Sequence, residues 1–299
     1  NPRAARDDQA AERELASAVR PVRLMLAASV ILPLALFAFA SWISFHQHLT
    51  DARDRVQRNL NTVYEHALKV FETFELSAQY LDELTSGLSD AEIRKEEIEL
   101  NARLKSITDR LPQLRDLWVV GANGEPLVSG TVYPMPKLNL SDRDYFRAHV
   151  GTSGDKDAAG KVDIFIGQVL QPRDPYPGES FFSVSRARAS ADGSFNGVIQ
   201  ISVRPSYFEQ FFAKLQSAYS GGYAALVRAD GTLLARYPQL AGDISIPSLS
   251  PLTDAMRTNP TGGFVTRVSN ADGIERRLSW KQLPNLPVFV LAGTETSAI

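Results

Sequence analysis

Eleven consecutive residues, Leu140 to Val150 (LSDRDYFRAHV), hold two acids, two arginines, two aromatic rings and a histidine. Such a mixture suits the capture of a small charged guest. A guanidinium presents a planar fork that grips a carboxylate through two parallel hydrogen bonds, and aromatic neighbours wall off water. Arg143 is the candidate for that fork. Tyr145 and Phe146 would leave a helix in adjacent directions, so at most one of them faces a pocket while the other enters the core. His149, one turn beyond Tyr145, would make binding depend on pH near neutrality. The same stretch also composes a helix start, with Ser141 to cap, Asp144 three positions on as in a capping box, and Asp142 at the positive end of the helix dipole. Both readings stay open at the level of sequence.

A second cationic stretch is VSRARAS, residues 184–190. Strand alternation puts Arg186 and Arg188 on one face with Val184, and Ser183, Ser185 and Ala187 on the other. Arg188 is expected to be solvated. Trp118, Tyr133 and Phe182 are candidate pocket walls, core packing being the commoner role for aromatics on strands.

Motifs for bond-breaking chemistry are missing from the sequence. The run Gly154 to Val162 resembles a phosphate loop only faintly, with five residues between its glycines and Val162 where a magnesium-binding Ser or Thr belongs. There is no G-x-S-x-G elbow, no H-E-x-x-H pair, no kinase histidine box and no GGDEF-type segment. With no cysteine, disulfides and thiolate metal sites are excluded. His46 and His48 read as juxtamembrane polar residues rather than ligands, so neither a metal nor a cofactor is expected. A net charge of −2 argues against a nucleic-acid partner.

Several elements must position these residues. Residues 24–45 are 22 positions without a charge, enough to cross a hydrocarbon core of about 30 Å. Arg20 and Arg23 in front of it favour a cytoplasmic tail at 1–23, with Trp42 at the outer interface. A cleaved signal peptide ending at the Ala38-Phe39-Ala40 pattern is the alternative; on either reading, the chain beyond residue 45 is exported. From His46 to Leu84 positions at steps of four and three (Leu49, Arg53, Val56, Leu60, Val63, Ala67, Val70, Phe74, Ser77, Leu81) are apolar in eight of ten cases, a long helix whose seam faces its own domain, a second copy, or both at different heights. Ser89 and Glu92 form a capping box for a second helix with the stripe Ile93, Leu100, Leu104, Ile107 and Leu111, ended by Pro112.

Beyond Pro112 the texture changes to short strand-like runs around four repeated turns, Ala122-Asn-Gly, Ala191-Asp-Gly, Ala229-Asp-Gly and Ala271-Asp-Gly. VVGANGEPLVSG (119–130) aligns with LVRADGTLLARY (226–237), which points to two similar modules in tandem. Each would carry five strands: LRDLWVVG, EPLVSG, VDIFIGQVL, FFSVSRARA and FNGVIQISV in the first, GYAALVRA, TLLARYP, GFVTRVS, IERRLSW and LPVFVLAG in the second. Residues 204–218 read as the connecting helix.

This layout, with SDRDYFRAH (141–149), SRARASADGSFNGVIQISV (185–203) and YFEQFF (207–212), resembles the double-PDC, or double Cache, sensor modules of bacterial histidine kinases, diguanylate cyclases and chemoreceptors. The resemblance implies an α+β fold of two PAS-like modules with antiparallel sheets, divided as 46–112 for the helices, 113–203 for the membrane-distal module and 204–299 for the membrane-proximal one. It implies a periplasmic ligand sensor of the inner membrane, a homodimer along the 46–84 helix, non-enzymatic itself, and signalling to a kinase or cyclase domain outside this sequence. Related amino-acid sensors grip the ligand carboxylate with an R-x-W-Y pattern, matched here by Arg143-Asp-Tyr145-Phe146, and Arg186 occupies the Ser-Arg position typical of the subfamily. Arg143 and Arg186 together would favour a dianion. The late Asp that holds an ammonium in those sensors is replaced by Ser202, and the upstream tyrosine by Leu138, so a carboxylate or other small anion is expected rather than an α-amino acid. A ligand-free dimerisation or partner-binding module, and less so a tethered exported enzyme, are the alternatives.

Overall fold

The computed structural model describes residues 4–150, 164–173, 178–190, 192–217, 221–240, 250–269 and 272–298; the side chains of 4–24, 26–28, 30 and 44–52 lie outside that set. The Gly154–Val162 run falls outside the described residues. The chain divides into two compact units, Asn1–Asp54 and Arg55–Ile299.

The first unit is helical from Ala4 onward, as part of α1 (Ala4–Thr85). Its side chains from Ile31 to Ile43 are all exposed, among them Leu32, Leu34, Leu36, Phe37, Phe39 and Trp42. Among the described residues no helix is long and apolar enough to cross a membrane; of positions 24–45, only 25, 29 and 31–43 have described side chains.

In the second unit the seam of α1 turns inward. Val56, Leu60, Val63, Ala67, Val70, Phe74 and Leu81 are all buried, joined by Phe71 and Ala78. From Leu60 to Leu81 they share one core with residues of both modules, among them Leu117 and Ile201 of the first and Leu226 and Val290 of the second. From Val56 to Leu81 burial in its own chain is the fate realised, so a partner helix cannot use these residues; the side chain of Leu49 lies outside the described set. Ser89 caps α2 (Asp90–Lys95) through the reciprocal bonds with Glu92 that the sequence announces. The helix expected to run on to Leu111 is interrupted at Glu96, and α3 (Glu97–Thr108) takes over.

Two sheets come next. The first holds β1 (Leu114–Val120), β2 (Pro126–Ser129), β3 (Phe165–Leu170), β4 (Phe181–Ala189) and β5 (Phe195–Val203), with the four-residue helix α4 (Asp144–Arg147) between β2 and β3. After α5 (Pro205–Gln216), the second holds β6 (Gly222–Arg228), β7 (Leu233–Tyr237), β8 (Gly263–Val268), β9 (Glu275–Gln282) and β10 (Val288–Glu295), with α6 (Pro251–Thr258) between β7 and β8. Both sheets are antiparallel and have the same order, β2-β1-β5-β4-β3 and β7-β6-β10-β9-β8. The repeated turns explain the match. Gly124 and Gly231 sit at φ +82° and +93°, a conformation that a Cβ disfavours, and close the first hairpin of each module. The Asp192-Gly193 and Asp272-Gly273 turns do the same for β4–β5 and β8–β9.

The sheets are joined through α1 and α5. Phe71, Phe182 and Phe208 contact one another with centroid separations of 6.2–6.4 Å, tying α1 to β4 and α5. In the second sheet Asp272 bridges the buried Arg236 and Arg276, at 2.9 and 2.8 Å, and both guanidiniums lie over the ring of Tyr223.

Candidate functional site

The face of the first sheet opposite α1 is polar where the other face is a core. On β4, Phe182 and Val184 belong to the main core while Ser183 and Ser185 are buried on the other side; on β5, Ile199, Ile201 and Val203 are core and Gln200 and Ser202 are their opposites. These small polar groups satisfy one another. The Gln200 amide donates to Ser183 Oγ at 2.9 Å and to Ser202 Oγ at 3.1 Å. The result is a floor with hydrogen-bonding capacity and no charge.

A cavity of about 60 Å³ lies over this floor. Trp118, Phe181, Gln200 and Ser202 come from the sheet, Arg143 and Tyr145 from the start of α4, and Arg173 from the segment after β3. Leu138, Leu140, Val132 and Pro172 complete the wall. Arg115 also lines it, and its presence follows from a defect in the strand. The β1–β5 register shifts between Leu114 and Asp116, so Leu114 and Leu117 share the core face while Arg115 and Trp118 share the cavity face. A bulge of this kind re-aims one side chain. Asp116 pins it, accepting from Ser129 Oγ at 2.6 Å and from the amides of Leu117 and Gly130 at 2.7 and 2.9 Å. Burial pushes the Asp116 carboxyl above its ordinary range, against the pull of those hydrogen bonds.

The three arginines differ in their commitments. Arg173 pairs with Asp142 and donates to Asn139 O at 2.6 Å. Arg143 has a 3.4 Å contact from Nη2 to Gln171 O, and its Nε is buried with no hydrogen-bond partner. Arg115 lies over the Phe181 ring at 5.3 Å, and burial lowers its pKa from the ordinary arginine value. Among the described residues no Asp or Glu lines the cavity. Among the described residues, no three His, Asp or Glu side chains are placed to hold a metal ion.

Three of the eight candidate residues from the sequence therefore meet here: Trp118, Arg143 and Tyr145. Tyr145 is buried, which raises its hydroxyl pKa against the opposing pull of Arg143 and Arg173. Phe146 is its counterpart in the core, edge-on to Phe195 at 5.7 Å. His149 is buried away from the cavity lining, with Nε2 3.0 Å from Ser185 Oγ, and burial holds its pKa below the ordinary value against hydrogen bonding to Ser185. Tyr133 is half exposed and does not line the cavity. Phe182 belongs to the main core because strand alternation gives the cavity its neighbour Phe181. Arg186 and Arg188 share the face of Val184, which looks away from the cavity. Arg188 is not solvated as expected; it is buried and 3.6 Å from Asp90 at the start of α2. Ser141 does not cap α4, whose N-cap is Arg143; its hydroxyl donates instead to Asn139.

Arg115, Arg173, Phe181 and Gln200 were not legible as site residues. Only Ser202 and Leu138 carried a signal, as the positions where a resemblance to amino-acid sensors predicts Asp and Tyr.

No protein-family model and no curated protein matches the chain. Solved structures do. The extracellular domain of rpHK1S-Z16, named as a histidine kinase, is 26% identical with a TM-score of 0.69, over 85% of this chain and 97% of that one. The ligand-binding domain of the Pseudomonas aeruginosa PAO1 chemoreceptor PctC, in complex with GABA, is 15% identical with a TM-score of 0.55, over 82% of this chain and 99% of that one. That of the Pseudomonas fluorescens chemoreceptor CtaA, in complex with L-serine, is 18% identical with a TM-score of 0.51, over 82% and 99%. At TM-scores of 0.51 to 0.69 these domains share the fold of this chain, and residues 55–299, with two tandem five-stranded modules packed on the long helix, form a sensor domain of double-Cache type.

Proposed function

We propose that this chain is the extracytoplasmic part of a membrane receptor and that its first module binds a small organic acid or similar anion between β1, β5 and α4. The observation that carries this reading is a cavity with three guanidiniums on its wall, of which Arg173 alone is paired with a carboxylate among the described residues. Arg143 is the principal contact: its Nε is buried and lacks a partner, and such a donor recovers a hydrogen bond when an anion arrives. Amino acids bound by structural neighbours motivate a second reading, a zwitterionic ligand. Among the described residues no acidic side chain stands on the wall, which speaks against it, since an ammonium needs a counter-charge once removed from water.

The remainder of the receptor is read from the sequence. Residues 24–45 cross the inner membrane, residues 46–299 lie in the periplasm, and output belongs to a histidine kinase or diguanylate cyclase domain in a longer protein that functions as a homodimer. Ligand binding shifts the receptor between two states by the difference in its affinity for them. The test is a thermal-shift screen of the 299-residue chain in detergent against organic acids and amino acids. An acid at roughly 100 times its dissociation constant adds about 2.7 kcal/mol, and Arg143→Ala should abolish that gain. Equal stabilisation of both proteins would place the ligand elsewhere.

A further inference from the structure

We infer that the ligand carries two negative groups, one held by Arg143 and the other by Arg115. The inference rests on the anion-binding reading above and narrows it to a chemical class.

The two guanidiniums reach the cavity from different elements. Arg143 comes from the N-cap of α4, above the floor. Arg115 comes from β1, turned toward the cavity by the bulge and steadied against the face of Phe181. Neither forms an ion pair among the described residues, in contrast to Arg173, which Asp142 already neutralises. A single carboxylate at Arg143 would leave Arg115 with no anion inside the cavity, where burial outweighs the pull of Asp116 and Glu179 on its charge. A second anionic group removes that cost. An amino acid does the reverse, because whichever guanidinium takes its carboxylate, the other repels its ammonium; the pair therefore selects against zwitterions as well as for dianions. The neutral polar groups of Gln200 and Ser202 line the same cavity and suit the polar middle of a short chain.

Size sets the length. A cavity of about 60 Å³ has room for roughly four to six water-sized positions, which fits a compact diacid of roughly two to four carbons with its ends at the two guanidiniums.

Isothermal titration calorimetry on the 299-residue chain in detergent micelles tests this with matched probes: malonate and succinate as diacids, propionate and butyrate as monoacids, β-alanine and GABA as zwitterions. The better diacid should bind at least ten-fold more tightly than the monoacid of equal length, with the zwitterion weakest. Arg115→Gln should reduce that preference below three-fold, and Arg115→Lys, which keeps the charge, should restore it to five-fold or more. A monoacid within three-fold of its diacid on the unaltered chain overturns the two-anion inference and leaves the organic-acid reading standing. A preference that survives Arg115→Gln in a variant with unaltered circular dichroism overturns the role of Arg115. Silence from every diacid and monoacid on the folded chain overturns both readings.

Discussion

His149 shows how one side chain can carry a pH dependence without touching the cavity. Its ring is buried against Ser185 and Phe165, and its pKa is lowered from 6.5. Between the lowered folded value and the ordinary unfolded one, the unfolded chain binds more protons, so stability falls as pH drops through that window and is intact above it. His66 is displaced in the same direction by burial and by Lys69, stacked on Phe211 at 3.7 Å. His149→Gln, which keeps a hydrogen-bonding group near Ser185, should therefore flatten the decline of stability as pH falls below the ordinary histidine value without removing it. Urea denaturation of both proteins at several pH values checks this. Parallel pH profiles would mean that His149 titrates alike in both states.

At the scale of elements, what could be read from the chain depended on whether a signal was local. Ten strands and four hairpins were legible because each turn carries its own Asn-Gly or Asp-Gly pair, and because the two modules repeat the same pattern. The α1 seam was legible from its spacing; which surface it covers was not, since that is decided by sheets remote in sequence. α6 went unread: it is short, although Ser250 and Thr253 cap it as a helix start. The cavity was half legible. Arg143 lies in a conspicuous segment, whereas Arg115 faces the site only because the strand bulges, and a period of two places it on the wrong side of Trp118. Turn and sheet glycines also separate by element. At Gly197, φ is +106° and an added Cβ would meet Val120 O at 2.0 Å, so Gly197→Ala should cost about 2 kcal/mol or more. At Gly193, φ is +81° with nothing within 4 Å, and Gly193→Ala should cost only about 1 kcal/mol. Chemical denaturation of the two variants distinguishes them; equal losses would show that the contact with β1 yields freely.

In the second unit the main core runs from the first sheet through α1 and α5 to the second, beside a smaller cluster in each module. Modules with separate cores unfold separately, whereas a shared core couples them. The slowest amides of β5 and β10 should therefore exchange with the same opening free energy, to within about 0.5 kcal/mol, in hydrogen-exchange measurements. Values that differ by more than about 2 kcal/mol would mean that each sheet opens on its own. The junction between the modules is equally constrained. Arg204, the N-cap of α5, donates its amide to Gln113 O at 3.0 Å and its guanidinium to the carbonyls of Pro112 and Leu114. Three successive carbonyls at the root of β1 are thus fastened to the first residue of the connection, one position before the bulge that aims Arg115. A swivel there would have to tear all three bonds, so the joint acts as a rigid crank: any twist imposed on that root by an arriving guest is handed to α5 undamped.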